Sequence, residues 1–170
     1  MKKNNLLKRY AFMACALTAG MFMVQSCDDD DKPVVPSNEI QNAFTSQYPN
    51  SQVWEWDYDR GYYEADFFFT GTCTSWNIPL SNVQAEAYFT GTGAWTRTEF
   101  DIDSYWWNQN ETAVIPPALR QTIQNQLGGR RLDDLRIIDN ATDADYYLLE
   151  IENEPNDIIV TLDYNGNVIR

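Results

Sequence analysis

Histidine is missing altogether from the 170 residues, cysteine occurs three times, and twelve basic residues stand against twenty-five acidic ones. Each shortage closes off a chemistry. Without imidazole no Ser-His-Asp or Cys-His arrangement can form, and the commonest zinc ligand and general base is gone. A formal charge of −13 repels phosphate backbones, which disfavours nucleic-acid binding; solubility accounts for it without any partner. The carboxylate pairs Asp101 with Asp103 and Asp133 with Asp134 could serve a glycosidase-like mechanism, but neighbours of this kind arise by chance in so acidic a chain. Asp143-Ala144-Asp145 opens like a calcium loop and then fails, with Tyr147 and Leu148 where a ligand and a glycine are needed. No cofactor or metal is expected, and the chain reads as a non-enzyme.

A membrane-length apolar run is also lacking. Met1 to Tyr10 carries Lys2, Lys3, Lys8 and Arg9 and no acid, and Ala11 to Val24 is apolar apart from Thr18. At ~1.5 Å per residue the apolar part covers roughly 21 Å, short of the ~30 Å hydrocarbon core, so it reads as a secretory signal. It ends in Val24-Gln25-Ser26-Cys27, followed by Asp28 to Asp31. This junction resembles a bacterial lipoprotein signal, and the acidic run resembles the surface-export signal of Bacteroidota lipoproteins. Val24 and Gln25 depart from the usual pattern, while Ser26 fits. The resemblance implies removal of residues 1–26, lipidation of Cys27 and an outer-membrane anchor, displayed at the cell surface or facing the periplasm. An ordinary cleaved signal is the other reading. Residues 27–36, with Pro33 and Pro36, then form an extended tether. Cys15 leaves with the signal and Cys27 is used by lipid, so Cys73 remains alone and no intramolecular disulfide is expected. A small apolar filler is its commoner role.

Residues 37–170 are enough for one domain with its own core, and within it the signals recur. Ile40, Phe44 and Tyr48 form an apolar stripe at helical spacing, as do Leu119, Ile123 and Leu127. Ser37 opens the first helix and Pro116-Pro117 the second, while Pro49-Asn50 and Gly128-Gly129 stop them. Strands are expected at Val53 to Tyr58 and Leu132 to Ile138, then at Gly61 to Phe67 and Asp145 to Ile151. Val83 to Phe89 and Ile158 to Leu162 follow, then turns at Thr90 to Gly93 and Tyr164 to Asn167. Trp95 to Ile102 closes the first half as a full fourth strand and Val168 to Arg170 closes the second as a stub. Gly71 to Ser81 reads as an extra loop in the first half, and Trp54, Trp56 and Tyr58 are expected on one strand face.

Phe44-Thr-Ser-Gln-Tyr48-Pro49-Asn50 before Val53-Trp54-Glu55-Trp56, Tyr62 to Phe67, Gly93-Ala94-Trp95, Ile115-Pro116-Pro117 and Leu162 to Val168 together resemble the PepSY-like, beta-lactamase-inhibitor-like domains of Bacteroidota lipoproteins. The fold implied is α+β: a tandem repeat, residues 37–103 and 114–170, of a helix plus three to four antiparallel strands, with two helices packed on one face of a curved antiparallel sheet. Related inhibitors grip a partner protein with the open sheet face. A beta-lactamase target does not follow from shared architecture.

Exposed aromatic clusters in loops tend to mark binding sites. Trp76, in the extra loop, and Tyr105-Trp106-Trp107, between the repeats, are therefore the candidate binding residues, with coverage of the sheet end as the structural alternative. The function expected is binding, with inhibition as one form of it, of a partner protein through the sheet face and these loops. Glycan binding is the alternative, because Trp and Tyr faces suit sugar rings.

Overall fold

The computed structural model describes residues 33–108 and 110–169. The expected signal, Cys27 and the acidic run lie outside them, and no helix among the described residues is long and apolar enough to cross a membrane. Seven strands, β1 (Val53–Asp59), β2 (Tyr62–Cys73), β3 (Ile78–Thr90), β4 (Trp95–Asp101), β5 (Leu132–Asn140), β6 (Tyr146–Ile151) and β7 (Ile158–Leu162), pair antiparallel in the order in which they occur along the chain. Short helices join them: α1 (Asn38–Gln47) precedes β1, while α2 (Asp103–Trp107) and α3 (Pro117–Leu127) connect β4 to β5.

Because side chains alternate along a strand, register decides which residues share a face. Val53 lies opposite Phe67, Phe67 opposite Ala85, Ala85 opposite Phe100, Phe100 opposite Ile137, Ile137 opposite Tyr147 and Tyr147 opposite Leu162. One apolar row thus crosses the whole sheet. It is buried everywhere except at Val53, on the edge. Ile40 and Phe44 of α1 and Leu119, Ile123 and Leu127 of α3 are buried in the same core. The Phe44 ring lies 5.0 Å from Phe67 and 6.0 Å from Trp56, edge-on to both. Helix α3 starts with Pro117, whose fixed φ suits a first turn, and stops at Gly128 in the left-handed region (φ +55°).

The α+β tandem-repeat expectation is corrected by this arrangement. The protein is mostly sheet. Strand β4 pairs directly with β5, Phe100 against Ile137 and Asp101 against Arg136, so the two segments merge into a single seven-stranded sheet with a few short helices. Three local expectations also change. Of the expected loop Gly71 to Ser81 only residues 74–77 form a turn, since β2 and β3 run on past the expected hairpin and pair as far as Thr72 with Pro79 and Cys73 with Ile78. Burial of Ile78 and Leu80 outweighs the local turn signals there. A register shift between Val53 and Glu55 turns Trp54 away, leaving it 50% exposed while Trp56 packs inward. The expected final strand is only a bridge between Leu162 and Val168.

The tip of the long β2–β3 hairpin is tied down by acids from the β5–β6 turn. Asp145 Oδ2 accepts hydrogen bonds from the Ser75 backbone N–H at 3.1 Å and from its hydroxyl at 2.7 Å, and Asp145 Oδ1 accepts one from the Asn140 N–H at 3.0 Å. Asp139 stands beside it. Burial, and then the negative charge of Asp145, push the Asp139 carboxyl up to about 6, against a hydrogen bond from the Thr74 backbone that lowers it.

Candidate functional site

The other face of the sheet follows from the same alternation. Glu55 lies opposite Asp66, Asp66 opposite Glu86, Glu86 opposite Glu99 and Glu99 opposite Ile138. Four carboxylates therefore stand in line across four neighbouring strands, which is unfavourable unless cations intervene. Two arginines do. Arg136, from the next register position, places Nη1 2.8 Å from Glu99 and 3.5 Å from Glu86, and Nε 2.6 Å from Asp134. Arg97 reaches Glu99 at 2.8 Å and lies with its guanidinium carbon 3.8 Å from the centre of the Tyr88 ring, a cation–π stack. Tyr88 in turn donates to Glu86 at 3.0 Å.

Burial alone would weaken the Arg136 charge, but Asp134, Glu86 and Glu99 outweigh it and hold the guanidinium protonated more firmly than usual. Burial raises the Asp134 carboxyl while Arg136 pulls it back. The Tyr88 phenol is pushed up by burial and then by Glu99, Glu86 and Glu64, so it stays neutral and acts as a hydrogen-bond donor. Partly exposed charges held by several partners have little rotamer freedom left to lose when a partner docks. Beside this lattice, Phe68 and Ile159 are each 51% exposed. Alternation in Gln84-Ala85-Glu86-Ala87-Tyr88 and in Arg97-Thr98-Glu99-Phe100-Asp101 is the sequence signal for the lattice.

The four loop aromatics differ in their surroundings. Trp76 stacks on Tyr147, ring centres 5.3 Å apart, and also lies 5.2 Å from Tyr164. The Tyr105 hydroxyl accepts a hydrogen bond from the Ser81 N–H at 2.9 Å. Trp106 is 9% exposed, with Arg120 over its ring at 5.0 Å, and the same guanidinium donates to the Tyr105 and Trp106 carbonyls. Trp107 is 75% exposed. The sequence-neighbouring acids are equally specific in their contacts. The carboxylates of Asp101, Asp103 and Asp134 approach within 4.8 Å of one another. Asp103 accepts from the Leu135 N–H at 2.7 Å, and Asp101 accepts from the Asp103 N–H at 2.9 Å. Burial, then Asp101 and Asp134, push the Asp103 carboxyl up to about 7. The group ties the start of α2 to β5.

No family sequence model and no curated protein sequence matches the chain. Solved structures do. A BLIP-like protein of Bacteroides fragilis superposes with a TM-score of 0.63 at 21% identity, over 84% of this chain and 89% of that one. A DUF2874 family protein of Bacteroides uniformis gives 0.62 at 19%, over 80% and 88%. A Bacteroides eggerthii protein provisionally assigned to the periplasm gives 0.62 at 16%, over 81% and 88%. The chain shares the fold of these proteins.

Proposed function

We propose that the chain is a non-enzymatic cell-envelope lipoprotein that binds a partner protein through the charged face of its sheet. The observation that carries the reading is the Arg97 and Arg136 lattice. These are guanidinium groups aligned in advance by Glu86, Glu99, Asp134 and Tyr88 on the sheet face away from the apolar core. Prearranged charge of this kind gives orientation and specificity to an interface. Likeness of fold to a BLIP-like protein supports binding, with inhibition of an enzyme as one form of it. The lipoprotein-like junction at Cys27 is the support for an outer-membrane anchor, and the provisional periplasmic assignment of a fold neighbour is compatible with the periplasm-facing orientation. Of the loop aromatics, Trp107 is the most exposed. Glycan binding is the second reading: Trp76 and Trp106 stack on the chain's own groups, which leaves exposed aromatics such as Trp107 to meet a sugar ring.

Photo-crosslinking from the face tests this in intact cells. A crosslinker at Gln84 should capture a specific protein, and that capture should disappear with Arg97→Glu. One at Thr45, exposed on α1, should not capture it. The same protein trapped from Thr45 and unaffected by Arg97→Glu would remove the sheet face as the binding surface. Mass spectrometry of the native N-terminus tests the anchor, and an unmodified Cys27 would refute it.

A further inference from the structure

The two edges of the sheet are treated differently. At β7 the chain returns along its own edge: the Ile169 N–H donates to the Thr161 carbonyl at 2.8 Å, and Leu162 bridges Val168. At β1, the first strand in the order, no described strand pairs on the outer side. An open edge presents a row of main-chain donors and acceptors. This one is unusually regular: beyond the bulge, Glu55, Asp57 and Asp59 alternate with Trp56 and Tyr58. The acids fall on the charged face, opposite Asp66, Glu64 and Tyr62, and the aromatics on the core face, opposite Ala65 and Tyr63. Negative charge is concentrated behind the edge, because the carboxylate oxygens of Asp57, Glu64 and Asp66 lie within 4.8 Å of one another.

Charge decides what can pair there. A second copy of the chain, docked antiparallel about Asp57, would set Asp57 against Asp57 and Glu55 against Asp59, and like charges directly opposite are destabilising. An incoming strand whose lysines or arginines fall opposite Glu55, Asp57 and Asp59, and whose apolar residues fall opposite Trp56 and Tyr58, satisfies both faces and the edge hydrogen bonds together.

We propose that the β1 edge is a docking site for an extended, basic segment of a partner protein, which adds to the sheet as an eighth antiparallel strand with cations and apolar residues alternating. This rests on groups other than Arg97 and Arg136, so either reading stands if the other fails. Titrating the full chain with an acetylated, amidated Lys-Val-Lys-Thr-Lys-Val-Lys peptide, followed by calorimetry and backbone amide NMR, tests it. Saturable one-to-one binding is expected, with the largest amide shifts at residues 53–59. Contiguous placement of the lysines, or N-methylation of alternate residues in at least one of the two registers, should weaken it tenfold or more. The Glu55→Lys, Asp57→Lys double variant should lose the lysine peptide and take up its glutamate counterpart. Absence of binding would overturn the proposal by reducing the acids to edge protection alone. So would equal affinity for the shuffled and both N-methylated peptides, which would mark simple polyelectrolyte attraction, or shifts centred on Arg97 and Arg136.

Discussion

Replacing Asp139 by asparagine removes a charge that the fold holds at a disadvantage. The carboxyl sits at about 6 in the folded protein against an ordinary 3.8. Over the intervening pH range the folded state keeps a proton that the unfolded chain has released. Stability therefore falls as pH rises from about 4 through about 6, and above that the ionised side chain costs about 3 kcal/mol at ~1.4 kcal/mol per pH unit. Solvent on its open side trims this to about 2 kcal/mol. Asparagine retains an oxygen for the Thr74 N–H and supplies an N–H for Asp145, so the clamp on the hairpin tip survives without the repulsion. Urea unfolding followed by circular dichroism should show the variant equal to the parent near pH 4 and about 2 kcal/mol more stable at pH 8, or roughly 6 °C in Tm. Asp103, pushed up to about 7, titrates in both proteins and cancels in the difference. A variant whose advantage is independent of pH, or which is less stable than the parent at pH 8, would refute the assignment of a repelling pair.

Three further outcomes follow from packing. Trp76→Ala should cost about 3 kcal/mol, because it empties the stack on Tyr147 and Tyr164, whereas Trp107→Ala should stay within about 0.5 kcal/mol; parallel urea titrations check the contrast. Gly166→Ala should destabilise by about 2 kcal/mol in the same assay, since Gly166 has φ +81° and a Cβ there would stand 3.3 Å from both the Leu119 Cα and the Thr122 hydroxyl. Burial, and then Asp139, push the Cys73 thiol up to about 12, so mass spectrometry should find Cys73 unlabelled by iodoacetamide in the native protein at pH 8 and labelled once urea unfolds it.

Much of the strand and helix pattern was legible because it is local. The stripes Ile40-Phe44 and Leu119-Ile123-Leu127 carry their burial in their spacing, and Ile158 to Leu162 is a strand with the bounds its apolar run suggests. What could not be read depends on partners remote in the chain. Gly71, Thr72 and Pro79 look like a loop, yet cross-strand pairing beneath Ile78 and Leu80 extends the hairpin through them and leaves only residues 74–77 as its turn. Recurring signals in two halves suggested a tandem repeat of a helix plus strands, whereas the strands dominate and the Phe100 to Ile137 register runs them into one seven-stranded sheet. For the candidate site, the aromatic loops drew attention by composition. The Arg97 and Arg136 lattice needs three strands side by side before its charges meet, and Asp139 finds Asp145 only because β5 ends beside the turn into β6.

Strand order that matches chain order has a bearing on how such a protein can be delivered. A polypeptide threaded through a translocation channel from its N-terminal end releases each strand after its neighbour has already emerged, so every new segment finds its hydrogen-bonding mate waiting and none must hold out for residues still inside. The core row that starts at Val53 can then be laid down one strand at a time, and the stretch from Leu162 to Ile169 folds back to seal the β7 edge behind it.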